Sequence, residues 1–336
     1  MFKQSALIRW FSLAIVSLFL IIACSPQVTN NSSNKSSPQS QPLVSATNNW
    51  VGYSSHHVAV GKNLFSGEGL KVKDLFFQSG SEEMTAFLAG KIDVGWFSSG
   101  NVVQMAAKDP SIKIIYLVDY SNGSDGIIGR GIKSPQDAKG KTIARENILF
   151  EKILLQAYLQ KAGLTEKDVV IKDLSAPDAG AAFAAKKVDI AVTYEPYLSQ
   201  SAKIGGGEVI FSTKDTNLIA DVVIARDSLI KSRKTDLQAY FRAVDKAVDL
   251  LNAGDEEALK IAGTKLGITA KEVKEQLQGV KLFDLDSNKS VAFNKDDPKS
   301  LIGNLKATVK GAKEFNIISQ PMEVESLYDD SIVKSM

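Results

Sequence analysis

Cysteine is all but missing from this 336-residue chain: Cys24 stands alone, which rules out an intramolecular disulfide and any cysteine-built metal cluster. Histidine is nearly as scarce, since His56 and His57 are the only two. Adjacent residues on one helix point in different directions, and no third nitrogen or sulfur ligand accompanies them, so no metal is expected. A Ser-His-Asp set of credible spacing, a Walker loop and a dinucleotide glycine fingerprint are also lacking. The chain is therefore read as a non-enzyme without a cofactor. Nor is one charge in excess: 40 Lys and Arg meet 38 Asp and Glu, so no overall field attracts nucleic acid. With 44% hydrophobic and 23% charged residues, what is present suits a globular chain long enough for two lobes.

Long apolar runs are scarce too. Lys3 and Arg9 precede an uncharged stretch from Trp10 to Ala23, which has the order and length of a signal peptide and is short for a membrane span. It ends in Leu20-Ile21-Ile22-Ala23-Cys24, which resembles the lipobox of bacterial lipoproteins; that likeness implies removal of residues 1–23 and acylation of Cys24. A buried helix followed by an ordinary thiol is the plainer alternative. Residues 25–48 turn to Ser, Asn, Gln and Pro with Lys35 as the one charge, so residues 24–49 read as a lipid-anchored tether. The expected location is the outer face of the cell membrane or the periplasm, with the membrane contacted through the lipid.

From Trp50 onward, short β-branched runs alternate with amphipathic segments, the pattern of an α/β fold around a mostly parallel sheet. Strands are expected at Leu70–Phe76, Val94–Phe97, Lys113–Asp119, Thr142–Ala144, Val169–Lys172, Ile190–Thr193 and Val209–Phe211. Helices are expected at Glu82–Ala89, Ile148–Ala162, Asp178–Ala185 and Glu195–Ala202, and helical periodicity dominates after Thr235. One stretch recurs: Ser79-Gly80-Ser81-Glu82 through Asp93-Val94 returns 96 residues later as Ser175-Ala176-Pro177-Asp178 through Asp189-Ile190. Each copy reads as a capped helix, a tight turn and a strand, with Ser81 as one cap and Pro177 in the other helix's first turn. Two similar lobes would then face each other across a cleft, where small-molecule sites are favoured.

Asn49-Trp50-Val51-Gly52-Tyr53, Ala89-Gly90-Lys91-Ile92-Asp93-Val94-Gly95, Lys139-Gly140-Lys141-Thr142-Ile143-Ala144 and Thr193-Tyr194-Glu195-Pro196-Tyr197 occur in an order that resembles the nitrate, sulfonate and taurine substrate-binding family of ABC importers. The resemblance implies a two-lobed, type II-like periplasmic-binding-protein fold with its ligand cleft between the lobes. The implied lobes are residues 50–127 plus 217–336, and residues 128–216. It also implies a monomer that takes up a small polar solute and meets permease and ATPase subunits in a membrane. A narrower likeness, at Asp119-Tyr120-Ser121-Asn122-Gly123-Ser124-Asp125-Gly126-Ile127, is to the group associated with urea carboxylase and with urea- or guanidine-type nitrogen compounds. Asn122-Gly123 is also a turn signal, so a simple hinge turn accounts for this loop equally well.

An anion receptor presents helix N-termini and an Arg or Lys to its ligand. Where the family often has a Gly-Ser-like pair, this chain reads Ala144-Arg145-Glu146-Asn147, and Glu146 puts a carboxylate where an anion would sit. Asp119, Asp125 and Glu195, with Asp221 as a further acid, fall at expected strand ends or hinge loops beside Tyr53, Trp96, Phe97, Tyr120 and Tyr194. Acids with aromatic faces suit a small cation rich in N–H donors. The candidate ligand residues are Tyr53, Ser54, Ser81, Trp96, Phe97, Ser98, Asp119, Asn122, Asp125, Arg145, Glu146 and Glu195, and the His56-His57 pair is expected near the cleft. Glu195 also suits a helix first turn, and Trp96 and Phe97 also suit a core. Arg145 keeps an anion or a taurine-like zwitterion open as the ligand. A sensory or partner-binding module is the alternative to transport.

Overall fold

A computed structural model describes residues 41–336 except 215 and 217; the expected signal peptide, the lipobox with Cys24 and most of the expected tether lie outside the described residues. Regular structure begins ahead of the expected residue 50. Leu43–Thr47 is a buried strand, β1, flanked by β2 (Val72–Phe76) and β3 (Val94–Ser98), both parallel to it. Its Leu-Val-Ser-Ala-Thr sequence is short and half polar, so composition hid it; Ser45 is satisfied inside the core by the Tyr240 hydroxyl at 2.8 Å. Between β1 and β3 come helices α1 (Ser54–Gly61), α2 (Leu64–Gly67) and α3 (Gly80–Leu88), and α4 (Ser99–Ala106) follows β3.

The chain then runs through β4 (Ile112–Ser121) and turns directly into β5 (Asp125–Gly129). Next come β6 (Thr142–Arg145), α5 (Leu149–Gln160), β7 (Val170–Asp173), α6 (Ala176–Ala184), β8 (Ile190–Tyr194), α7 (Tyr197–Gly205) and β9 (Glu208–Ser212). It returns through β10 (Ala220–Arg226) and finishes with α8 (Asp227–Ser232), α9 (Lys234–Asn252), α10 (Glu256–Leu266), α11 (Ala270–Gln276), β11 (Val280–Leu282), α12 (Leu285–Ser287), α13 (Leu301–Glu314) and α14 (Ser331–Lys334).

Two sheets result, ordered β11-β4-β10-β3-β1-β2 and β7-β6-β8-β5-β9. Each has a parallel trio followed by an antiparallel strand, β10 in one and β5 in the other, so neither is simply parallel. These two antiparallel strands are exchanged: β5 enters the second sheet straight from β4 of the first, and β10 enters the first after β9 of the second. Because β5 pairs with β8 and β9, the second sheet includes the chain from Asp125 onward, three residues ahead of the expected lobe's first residue.

The 96-residue recurrence is structural. Ser79 and Ser175 cap α3 and α6 by accepting from Glu82 N and Asp178 N, so the cap of the first copy is Ser79 and not Ser81. Both copies turn through a left-handed residue, Gly90 or Lys186. The Asp93 and Asp189 carboxylates then accept the Val44 and Thr142 backbone N–H, each at 2.9 Å, tying each turn to the neighbouring parallel strand. Arg226 and Arg130, also 96 apart, lie over the Phe87 and Phe183 rings and donate to those residues' carbonyls at 2.8 and 2.7 Å.

The second sheet is covered on both faces, as strand alternation requires. Ile127, Ile143, Ile190 and Val192 pack with Leu154 and Leu155 of α5, while Ile128, Ala144 and Ala191 pack with Phe183 and Leu198 of α6 and α7. The long amphipathic α9 buries Leu237, Phe241, Val244 and Val248 in the first lobe. Among the described residues no helix is long and apolar enough to cross a membrane.

Candidate functional site

The exchanged strands carry the site. Asp221, near the start of β10, pairs in register with Asp119 of β4 on one side and Ser98 of β3 on the other. Asp125 begins β5 opposite Tyr194, the last residue of β8. The two lobes therefore contribute an aspartate from the same position of the repeat. The signal was in the sequence, since Asp125-Gly126-Ile127-Ile128-Gly129-Arg130 matches Asp221-Val222-Val223-Ile224-Ala225-Arg226 at the same 96-residue spacing.

Between them lies a cavity with about 20 Å³ of room for the centre of a water-sized sphere, enough for a ligand of only a few heavy atoms. Asn48, Trp50, Tyr53, Gly80, Ser98, Asn101 and Asp221 of the first lobe line it, and Asp125, Glu146, Ile148, Phe150 and Tyr194 of the second close it, with Ile219 at the crossing. Three carboxylates face this space, and none of its lining residues is Lys or Arg.

A short 3₁₀ turn, Val51–Tyr53, puts Trp50 and Tyr53 on one side of the chain, three residues apart. Tyr53 donates to Asp221 Oδ1 at 2.8 Å, and Trp50 Nε1 donates to Asp119 Oδ2 at 3.2 Å. Gly52 between them permits this approach: a Cβ there would come within 2.2 Å of both Asp119 Oδ2 and Trp50 Nε1. Asn48 is locked by accepting from Trp50 N and donating to the buried Glu83 at 2.9 Å. Trp50 meets Tyr194 of the other lobe edge to face, with ring centres 5.8 Å apart.

The acids are incompletely satisfied. Asp119 Oδ1 and Asp125 Oδ2 are buried without a hydrogen-bond partner. Burial, with the Asp221 charge next in importance, holds the carboxyls of Asp119 and Asp125 well above the usual carboxylate range. Burial likewise pushes Asp221 up to about 7, against the hydrogen bond from Tyr53, which works the other way. Glu83 and Glu151, both fully buried, are also raised, chiefly by burial. Such a pocket stabilises a proton or another cation and repels an anion.

Other candidates sit elsewhere. Arg145 is turned away from the cavity, paired with Asp173 at 2.8 Å and Glu166 at 3.2 Å. Trp96 and Phe97 are core residues: the Trp96 indole donates to Tyr240 at 2.8 Å and Phe97 packs edge to face on Phe87. Ser54 donates to the Val51 carbonyl within its own turn. Asn122 lies in the β4–β5 turn, its backbone N–H donating to Gly279 O. Glu195 turns toward α7, accepting from Ser199 N at 3.2 Å and Ser199 Oγ at 2.8 Å, and does not line the cavity. His56 and His57 are buried in the first lobe away from the cleft. His56 bridges Tyr240 and Asp74, and burial lowers His57 to about 3, keeping it neutral. Ser81 lines no wall of the cavity but donates to Glu146 through both its backbone N–H and its hydroxyl.

Residues 51–258 match the family described as NMT1/THI5 like. The chain belongs to that family. Among relatives, it is 32% identical over 191 residues to a protein of Bacillus subtilis named for binding aliphatic sulfonates, a match covering 56% of this chain and 58% of that one. It is 26% identical to an ABC transporter periplasmic binding protein of Brachyspira hyodysenteriae, over 71% of this chain and 72% of that one. In fold it resembles the periplasmic aliphatic sulphonate binding protein SsuA of Escherichia coli, with a TM-score of 0.72 and 18% identity over 88% of this chain and 93% of that one. The desulfurization enzyme DSZB shares the fold at TM-score 0.64 and 13% identity, over 88% of this chain and 98% of that one. The two-lobed binding-protein architecture expected from the sequence is thus the architecture present, whereas the choice between binding and catalysis rests on the site.

Proposed function

We propose that this NMT1/THI5-like protein is the solute-binding component of an ABC importer, acting outside the cytoplasm, and that its solute is a small planar cation of the guanidinium type. The observation that carries the choice of ligand is the convergence of Asp125, Glu146 and Asp221 on one small cavity whose lining has no Lys or Arg. Guanidinium offers six N–H donors in a plane, a positive charge and a flat face. Asp125 and Asp221 accept from its edges, and Trp50 and Tyr194 flank it. The relatives' names supply the importer context; the acids supply a ligand chemistry different from the sulfonate in those names.

In the mechanism, Asp221 belongs to one lobe and Asp125 to the other. With nothing positive between them, bringing the lobes together brings like charges together; a cation between them reverses the sign of that interaction, so binding shifts the population to the closed form. Permease and ATPase subunits then receive the closed protein. Cys24 is proposed as the lipid attachment that keeps a monomer near the membrane.

The test is calorimetry and thermal shift on the purified protein with guanidinium, urea, taurine, methanesulfonate, nitrate and bicarbonate. Guanidinium is expected to raise the melting temperature in proportion to the logarithm of its concentration, and Asp221→Asn to remove the effect. Stabilisation by methanesulfonate or nitrate with none by guanidinium would overturn the cation reading and leave the importer reading standing.

A further inference from the structure

Glu146 does two things that no other cavity acid does. It is buried at the end of β6, in the second lobe, yet its carboxylate reaches the start of a helix in the first lobe: Oε1 accepts Ser81 N at 3.0 Å and the Ser81 hydroxyl, in the first turn of α3. Its other oxygen, Oε2, accepts Ala176 N, the first residue of α6, at 3.4 Å. The starts of two nine-residue helices, one from each lobe, are thus occupied by a single side chain. Free N–H groups and the positive end of the dipole make such helix starts the natural seat of an anion. Glu146 is itself held in place, since its backbone N–H donates to the buried Glu151 carboxylate at 2.6 Å.

We propose that Glu146 sets the sign of the charge this site accepts, its carboxylate filling from within the seat an anionic ligand would take and latching the two lobes through the same contacts. The proposal rests on the cation reading of the cavity and names what excludes anions from it. With Glu146 in place, both helix starts are neutralised and every charged side chain lining the cavity is a carboxylate. Without it, the Ser81 and Ala176 donors face the space unopposed. Asp125 and Asp221 then remain as the only carboxylates lining the cavity.

Two variants separate charge from shape. Glu146→Gln keeps an acceptor for Ser81 and removes the charge; Glu146→Ala removes both. Circular dichroism and melting of each variant establish that it is folded. Calorimetry is run with guanidinium at pH 8, and with sulfate and nitrate at pH 5.5, below the value of about 7 to which burial pushes Asp221. Wild type is expected to bind guanidinium and neither anion. Glu146→Gln is expected to lose at least about tenfold in guanidinium affinity, the scale of one charge-assisted hydrogen bond. Glu146→Ala is expected to lose as much and to gain measurable binding of sulfate or nitrate. If Glu146→Ala gains no anion binding, or keeps wild-type affinity for guanidinium, the specificity role falls while the cation reading stands. If wild type itself binds the anions and not guanidinium, the cation reading falls and the proposal with it. Should Glu146→Ala fail to fold, Ser81→Ala is the second arm. It removes one latch donor from outside the cavity lining, and a closed-form population unchanged by scattering would overturn the latch.

Discussion

A carboxylate buried without a cation beside it is costly, and this protein has several in one place. Asp119, Asp125 and Asp221 are each held above their ordinary range by burial and, for Asp119 and Asp125, by Asp221. In the window from the ordinary aspartate value of 3.8 to about 7, the folded protein therefore binds more protons at Asp221 than the unfolded chain does. Ligand-free stability consequently falls as pH rises through that window. Melting curves without ligand are expected to shift downward from pH 5 to pH 7.5. The reverse holds for a bound cation, which replaces those protons. Guanidinium affinity should rise with pH, by up to about tenfold per unit for each proton displaced. Calorimetry in buffers of different ionisation enthalpy reads that proton directly, and affinity that falls with rising pH would contradict a cationic ligand. Asp125→Asn is expected to weaken guanidinium binding by about 10- to 100-fold, the scale of a hydrogen bond to a charged group. By contrast, Glu195→Ala should leave affinity unchanged and cost about 1 kcal/mol or less of stability, as loss of a helix-end contact does.

Among the elements, β1 decides how the chain must be handled. Leu43–Thr47 lies between β2 and β3, with Leu43 and Ala46 fully buried. A version beginning at Trp50 is expected to be insoluble or to lack a cooperative melt, whereas one beginning ahead of Leu43 should melt as a single transition. Expression and calorimetry of the two check this. The strands the sequence revealed were those with β-branched runs, such as Lys113–Asp119 within β4 and Ile190–Thr193 within β8. Four escaped it: β1 is half polar, β5 is glycine-rich and follows directly on β4, β11 is only three residues long, and β10 was passed over despite its Val222-Val223-Ile224 run. The site was legible in part for the same reason. Tyr53, Ser98, Asp125 and Glu146 lie at turns that the sequence marks, and the structure brings them together at the cavity. Trp96, Phe97 and Arg145 share the residue types of a ligand site, but strand alternation and ion pairing turn them into the core or toward β7. Only pairing across strands, which one chain's sequence does not display, decides between these fates.

At the scale of the whole molecule, the two lobes meet backbone against backbone. Gly100, at the start of α4 in the first lobe, faces Phe150 of α5 in the second, and a Cβ on Gly100 would lie 3.0 Å from Phe150 N and 3.2 Å from its Cβ. A methyl group needs a few tenths of an ångström of give there; a branched side chain needs the lobes to stay apart. Because the contact exists only when the lobes meet, Gly100→Val acts on closure and leaves each lobe's own packing largely intact. Small-angle scattering with saturating guanidinium is expected to show wild type contracting and Gly100→Val keeping its ligand-free dimensions. Affinity should drop at least about tenfold, which is about 1.4 kcal/mol taken from the closed state. The ligand-free melting temperature should stay within a few degrees of wild type. A variant that contracts and binds like wild type would mean that the lobes tolerate the added bulk and that the ligand is held without full closure. A variant that contracts normally but binds weakly would place the loss at the cavity wall formed by Phe150, separating capture from closure.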